Sequence, residues 1–239
     1  MGHRVICIGR GGLGKAFEER GIFTLSKSDV DITDVCSLNA MFDEQRPRFV
    51  INCAGVVGTG KCSLEPEYTN MVNVGGVANI VYMCKKYGAS LAHMSTFYCG
   101  KHNVYTSSKD MAEDIVMSAN IEKLVVRLPW IFGKYTENFI SDLRKGKKCG
   151  IFPGERGYLA YDEDICDYVI DNIGNTGIYA IANDGALTRE DIVDYFKGWG
   201  LVKKLERKIN MPNCEQIPTV RMRHWKEAME DFIHGTRAS

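Results

Sequence analysis

The sequence predicts an α/β fold in which a parallel sheet is covered by helices on both faces. Short runs rich in valine and isoleucine alternate with amphipathic helical patterns from the N-terminus onward, and such runs are typical of buried parallel strands. The first run leads directly into a glycine-rich turn and then into a helical pattern. Because crossovers between parallel strands are right-handed, this order predicts a doubly wound, Rossmann-like sheet.

Each element is predicted from its own periodicity. Apolar runs of strand length predict strands at Arg4–Ile8, Ile22–Leu25, Phe49–Cys53, Ser90–Met94, Lys123–Arg127 and Ile178–Ile181. Helical spacing of apolar residues predicts helices at 13–19, 35–45, 66–87, 106–119, 137–145, 162–173 and 188–198.

Composition and charge exclude several functional classes. The 30 basic residues balance the 30 acidic ones, which argues against binding to nucleic acid or to an anionic membrane. The apolar stretch Val5–Ile8 is too short for a signal peptide or a membrane span. The nine cysteines form no Cys-x-x-Cys pair, so we expect free thiols, no metal site and a reducing, cytoplasmic setting.

The first strand ends in a glycine loop of the dinucleotide-binding type. Gly9, Gly11 and Gly14 match the Gly-x-Gly-x-x-Gly spacing in strand–turn–helix context, with Gly12 and Leu13 inside the loop. Such glycines permit a tight turn, and the helix N-terminus that follows offers N–H groups to a pyrophosphate. The loop therefore predicts that a dinucleotide binds here.

The residues after the second strand favour NADP(H) over NAD(H). NAD-binding proteins usually place a carboxylate there for the ribose 2′-hydroxyl, whereas this chain has Lys27, with Asp31 further on. Lys27 is expected to bind a 2′-phosphate, with Arg10 as a second cation. The alternative is that both are solvated surface charges.

A tyrosine–lysine pair follows the fourth predicted strand. Tyr105 and Lys109 are four residues apart on a predicted helix, so their side chains share a face. A nearby ammonium lowers the pKa of a phenol and so makes it a better acid at neutral pH. Thr96 or Ser95, at the end of the strand, could donate a hydrogen bond to a reacting carbonyl.

Together these residues resemble the extended short-chain dehydrogenase/reductases, and within them the dTDP-4-dehydrorhamnose reductase-like family. The resemblance covers most of the chain. It extends to Asp31-Ile32-Thr33-Asp34, Val50-Ile51-Asn52-Cys53-Ala54-Gly55, Glu65-Pro66-Glu67 with Asn73-Val74, Ser95-Thr96-Phe97-Tyr98, and Arg127-Leu128-Pro129-Trp130-Ile131-Phe132-Gly133.

The resemblance implies reduction of the C4 keto group of a nucleotide-linked 6-deoxysugar by NADPH, alone or with epimerisation. Tyr105 would donate the proton, Lys109 would hold the ribose, and Thr96 would bind the developing alkoxide. Cofactor contacts would come from the glycine loop, Lys27 and the two catalytic helix residues, together with Asp31, Ile32, Cys53, Ala54, Gly55 and Leu128. Residues 1–145 would form the NADP-binding portion and 146–239 a small C-terminal substrate-binding lobe, in one domain that could form a homodimer.

The sequence departs from the family pattern around the substrate pocket. Phe97 stands where an aspartate is usual, and only the eight residues 97–104 separate Thr96 from Tyr105, so a longer family loop is missing. Two alternatives to a reductase remain open: a non-catalytic NADP-binding regulatory subunit, and a nucleotide-sugar epimerase or dehydratase. Arg221, Arg223 and His224 could meet a nucleotide diphosphate, but we favour a solvated helix start for them.

Overall fold

The computed structural model describes residues 4–98, 103–147, 149–151, 156–198, 200, 205–207 and 217–235. Within these residues there are thirteen short strands. They are β1 (Val5–Ile8), β2 (Phe23–Leu25), β3 (Phe49–Asn52), β4 (Ser90–Thr96), β5 (Lys123–Leu128), β6 (Trp130–Phe132), β7 (Cys149–Ile151), β8 (Arg156–Gly157), β9 (Leu159–Tyr161), β10 (Gly177–Asp184), β11 (Leu187–Thr188), β12 (Leu205–Arg207) and β13 (Val220–His224).

The helices connect these strands. They are α1 (Gly12–Glu19), α2 (Val35–Gln45), α3 (Thr59–Leu64), α4 (Pro66–Asn70), α5 (Val77–Tyr87), α6 (Val104–Ser118), α7 (Phe139–Arg144), α8 (Asp162–Asp171), α9 (Arg189–Gly198) and α10 (Trp225–His234). A π-helical segment, Met71–Gly76, joins α4 to α5. The helix predicted at 66–87 is therefore one continuous helical run with a wider turn inside it.

A seven-stranded sheet has the strand order β13-β10-β5-β4-β3-β1-β2. The pairs β1–β2, β1–β3, β3–β4 and β10–β13 are all parallel, which confirms the predicted doubly wound sheet. All six predicted strands are present, and β13 is the seventh. The chain leaves β1 toward β2 on one side and continues to β3 on the other, so the order reverses at β1. In open α/β sheets, ligands bind at the carboxyl ends of the strands at such a reversal.

The first of two compact units comprises Met1–Arg127 and Cys166–Tyr179. One face of its strands buries an apolar layer against α2, α5 and α6. Alternate strand residues supply one side of this layer, because side chains in a strand point to opposite faces. The layer contains Ile6, Ile8, Val50, Leu91 and Val125 from the sheet and Leu38, Phe42, Ile80, Cys84, Ala112 and Val116 from the helices.

The second unit comprises Leu128–Ile165 and Ala180–Ser239, and its core combines aliphatic residues with a group of aromatic ones. Phe132 stacks on Tyr161 with centroids 5.1 Å apart, and it meets Phe232 edge-on at 5.6 Å. Such aromatic pairs contribute roughly 1 kcal/mol each beyond the area they bury. The functional division predicted at residue 145 stays a prediction.

The expectation that Arg221, Arg223 and His224 begin a solvated helix is wrong. They lie on strand β13, and α10 begins only after His224, whose Nδ1 caps it by accepting from the Lys226 N–H. The Arg223 guanidinium pairs with the Asp164 carboxylate at 3.0 Å and with Asp231 at 2.5 Å. These ion pairs hold Arg223 inside the second unit, which explains why a charged segment forms a strand there.

Candidate functional site

The loops that follow β1, β2 and β3 line one cavity of about 450 Å³. It lies where the strand order reverses, at the carboxyl ends of three neighbouring strands. Nine of the residues predicted to contact a dinucleotide line it: Gly9, Arg10, Gly11, Lys27, Asp31, Ile32, Cys53, Ala54 and Gly55.

The glycine loop brings three backbone segments into contact. Gly9 has φ +105°, and a Cβ on it would lie 2.4 Å from the amide nitrogen of Ala54. A Cβ on Gly14, inside α1, would lie 1.9 Å from the carbonyl oxygen of Gly9. Both positions therefore require glycine. Gly11 is the N-cap of α1 and has open space where a Cβ would be, so the start of the helix is accessible to a ligand.

Gly12 and Leu13, also predicted to contact the cofactor, form the first turn of α1. Leu128, the last of the predicted cofactor contacts, is a buried residue at the end of β5 and opens the second unit. Its predicted contact with the cofactor stays a prediction.

The two predicted cations of the cavity already have protein partners. The Lys27 ammonium donates to the Tyr68 hydroxyl at 3.0 Å and lies 3.7 Å from the Asp31 carboxylate. The Tyr68 hydrogen bond, followed by the charge of Asp31, raises the pKa of Lys27. Arg10 forms a two-pronged pair with Glu18 at 2.8–3.1 Å. Lys27 is thus held at the cavity rim by an aromatic residue that the sequence did not single out.

Asn73 fixes the cavity wall that follows β3. Its Oδ1 accepts from the Val56 N–H at 2.7 Å, and its Nδ2 donates to the Val56 carbonyl at 2.9 Å and to Ser108 Oγ at 3.0 Å. The side chain is buried, and it satisfies both backbone polar groups of one loop residue. The sequence contained Asn73 only as part of a family pattern. Its function as a clamp between the loop and α6 follows from the structure.

Cys53 lines the cavity with a thiol that the protein keeps protonated. A hydrogen bond with Cys7, followed by burial, raises the pKa of Cys53 well above its ordinary range. The charge of Cys166 acts in the same direction. Because the thiolate is the nucleophile, Cys53 is expected to be an inert wall residue.

The predicted tyrosine–lysine pair lies on the first turns of α6. Lys109 is only 6% exposed, and its ammonium donates to the Met94 carbonyl on β4 at 2.8 Å. The same nitrogen lies 3.9 Å from the position that a Cβ on Gly55 would occupy. Tyr105 lies one turn earlier on α6 and is partly buried against the first unit's core. The Lys109 ammonium therefore lies beside the cavity wall, and the same helix carries Tyr105.

Thr96 and Ser95 end β4, and both side chains are buried. The Thr96 hydroxyl oxygen accepts from the Tyr98 N–H at 3.3 Å. Ser95 donates to the Glu113 carboxylate on α6. Two residues earlier, His93 is fully buried, and burial followed by the charge of Lys109 lowers its pKa well below its ordinary range. Its Nδ1 lies 3.1 Å from the Asn52 side-chain nitrogen on the neighbouring strand β3.

Neither metal-binding nor membrane-spanning features occur in the described parts of the chain. Within those parts, no three His, Cys, Asp or Glu side chains gather closely enough to hold a metal ion. No described helix combines the length and the apolar character needed to cross a bilayer. Residues 99–102, which belong to the short segment between Thr96 and Tyr105, lie outside the described residues.

Known proteins resemble this chain over most of its length. The family model described as RmlD substrate binding domain matches residues 8–192. A dTDP-4-dehydrorhamnose reductase of Aggregatibacter actinomycetemcomitans is 26% identical over 194 residues, covering 72% of this chain but only 62% of that relative. The Spore coat polysaccharide biosynthesis protein SpsK of Bacillus subtilis is 21% identical, and 96% of each chain is covered.

The fold matches solved structures closely. A crystal structure of dTDP-4-dehydrorhamnose reductase from Bacillus anthracis in complex with NADP superposes with a TM-score of 0.90 at 22% identity. The superposition covers 99% of this chain and all of that one. At this level of identity, the likeness establishes the fold.

Proposed function

Because the chain belongs to the family of the RmlD substrate binding domain, we propose that it is an NADPH-dependent reductase of a dTDP-linked 4-keto-6-deoxysugar. Relatives named dTDP-4-dehydrorhamnose reductase support this substrate class. The product is the corresponding 4-hydroxy sugar nucleotide. Whether epimerisation accompanies the reduction, and whether the protein forms the predicted homodimer, stay predictions.

The residues around the cavity fit NADPH. Gly9 and Gly14 allow a backbone approach that no other residue permits, and the accessible start of α1 offers N–H groups for a pyrophosphate. Lys27, at the rim after β2, supplies a positive charge suited to a 2′-phosphate. When bound, NADPH supplies the hydride that reduces the keto carbon.

The protein's own residues supply the proton and hold the oxygen. In the proposed reaction, the C4 carbonyl gains a hydride at carbon, and its oxygen takes the proton of the Tyr105 hydroxyl. The Lys109 ammonium favours the phenolate that remains, which lowers the cost of this proton transfer. The Thr96 hydroxyl donates a hydrogen bond to the oxygen as its negative charge develops. Solvent then returns a proton to Tyr105.

One observation carries this proposal, namely the position of the Lys109 ammonium. It is buried, held on the Met94 carbonyl two residues before Thr96, and adjacent to Gly55 of the cavity wall. A lysine is rarely buried, because its ammonium must find groups that replace water. Here its charge lies between the cavity, the end of β4 and the helix that carries Tyr105.

The test measures NADPH oxidation with dTDP-4-dehydrorhamnose as substrate. Tyr105→Phe is expected to lower kcat by at least about 100-fold, because general acid catalysis contributes roughly 10²–10⁴-fold, while the Kd for NADPH changes little. Tyr82→Phe, at an exposed position on α5, is the matched control and should retain wild-type turnover. Full turnover by Tyr105→Phe would refute the assignment. Tight NADPH binding by a wild-type protein that reduces no nucleotide-linked 4-keto sugar would instead support a non-catalytic regulatory subunit.

A further inference from the structure

A buried carboxylate lies on the same helix as the tyrosine–lysine pair. Glu113 is one helical turn beyond Lys109 on α6 and only 3% exposed. A buried carboxylate is costly unless charged or hydrogen-bonding groups surround it. Glu113 therefore needs partners, and the neighbouring strands β4 and β5 provide them.

Arg127, on β5, is the charged partner. Its Nη2 lies 2.6 Å from Glu113 Oε2, and its Nε lies 3.0 Å from both carboxylate oxygens. This two-pronged geometry fixes the plane of the carboxylate as well as its position. The Glu113 side chain is thus a rigid acceptor in the interior of the first unit.

Ser95, on β4, is the second partner. Its hydroxyl donates to Glu113 Oε1 at 2.5 Å. The residue before it, Met94, accepts from Lys109 through its carbonyl. Two successive residues of β4 are therefore tied to α6, and the next residue along the strand is Thr96.

We propose that Glu113 is a positioning residue for the reduction, acting through Ser95 to set Thr96 against Tyr105 and Lys109. This inference rests on the proposed function. The Lys109 tie fixes the β4 backbone at Met94, and the Glu113 tie fixes the strand's rotation at Ser95. With both ties in place, Thr96 has one orientation relative to α6. Displacement of a reacting group by about 1 Å can lower turnover by about 100-fold.

The structure offers a matched pair of serine variants on one strand. Ser95→Ala removes the tie to Glu113 and leaves the Glu113–Arg127 ion pair in place. Ser90, at the opposite end of β4, also donates to a glutamate, Glu122, at 2.8 Å. Ser90→Ala is therefore the same substitution, breaking a serine–glutamate hydrogen bond that is exposed and lies far along the strand from Thr96.

The experiment compares Ser95→Ala, Glu113→Gln and Ser90→Ala with the wild type in kcat, KM, NADPH Kd and melting temperature. We expect Ser95→Ala and Glu113→Gln to lower kcat about 10- to 100-fold, with KM and NADPH Kd within about twofold of wild type. Ser90→Ala should keep wild-type kcat. If Ser95→Ala lowers only the melting temperature and keeps kcat, Glu113 is merely structural and the proposal is overturned.

Amide hydrogen exchange supplies a readout that does not depend on turnover. The Tyr98 N–H donates to Thr96 Oγ1. Its hydrogen exchange should be faster than in the wild type in Ser95→Ala and Glu113→Gln. In Ser90→Ala its exchange rate should equal that of the wild type. Unchanged exchange in the first two variants would overturn the positioning role. If the wild type shows no reductase activity but exchange behaves as expected, the proposed function fails and the tie between Glu113 and the end of β4 stands.

Discussion

Replacing Asn73 with alanine removes the clamp that holds the cavity wall after β3. The change deletes the acceptor for the Val56 N–H, the donor to the Val56 carbonyl and the donor to Ser108. Val56 is buried, so its N–H loses its partner without gaining full access to water, and its carbonyl keeps only the weak bond from Cys62 Sγ. The expected result is a less stable protein with a loosened cavity.

The magnitude follows from the three hydrogen bonds. A hydrogen bond between neutral groups makes a net contribution of about 1 kcal/mol to stability, and a buried group left without a partner costs more. The free energy of unfolding should therefore fall by about 3 kcal/mol. For a chain of this size, such a loss lowers the melting temperature by roughly 6–12 °C. Asn73→Asp should also destabilise, because it places a carboxylate oxygen against the Val56 carbonyl.

Thermal unfolding and NADPH titration together check this expectation. Val56 lines the cavity, so the affinity for NADPH should fall along with stability. Asn172→Ala is a suitable control. The Asn172 side chain donates to the Tyr168 carbonyl and accepts from Asn175, in a part of the first unit that does not line the cavity. A melting temperature within about 2 °C of wild type would refute the reasoning. So would the expected drop in melting temperature accompanied by an unchanged Kd for NADPH.

Two further predictions concern residues of the cavity wall. Lys27→Ala should weaken NADPH binding about tenfold and leave NADH binding almost unchanged, because only NADPH carries the 2′-phosphate that needs a cation. Lys197→Ala, on the second unit, is the control. Equal losses of affinity for the two dinucleotides would contradict the assignment of Lys27. Cys53 should react with iodoacetamide at pH 8 far more slowly than the exposed Cys36, because its raised pKa keeps the thiolate scarce until the pH is well above neutral. Peptide mass spectrometry at rising pH measures the two alkylation rates. Equal rates at the two cysteines would show that the Cys7 hydrogen bond does not protect Cys53.

The sequence predicted the elements whose periodicity is strong. Strands β1, β3 and β5 and helices α1, α2 and α6 lie within a few residues of their predicted bounds, because each has one apolar face in the first unit's core. β4 runs two residues past its predicted end. The predicted strand stopped at Met94, before the polar Ser95 and Thr96, but Glu113 satisfies the Ser95 hydroxyl inside the strand.

Elements that depend on distant partners could not be predicted from local pattern. β13 carries charged residues, and its Arg223 pairs with Asp164, which is 59 residues away in sequence, as well as with the nearby Asp231. The short strands β6 and β9 pair with each other in parallel, and three residues are too few to show a period. In the candidate site, the glycine loop and Lys109 were predicted from spacing, whereas the clamp at Asn73 and the carboxylate of Glu113 depend on tertiary contacts.

The contact among Gly9, Gly14 and Ala54 joins the turn after β1 to the loop after β3. No atom can be added between these backbones without moving one of them, so both sides of the cavity must shift together. A mutation that displaces either loop will therefore displace the other, even though the two loops are far apart in the chain. For protein engineering, this means that cofactor preference is best altered at the cavity rim around Lys27 and Tyr68, where side chains can change without disturbing the contact among Gly9, Gly14 and Ala54.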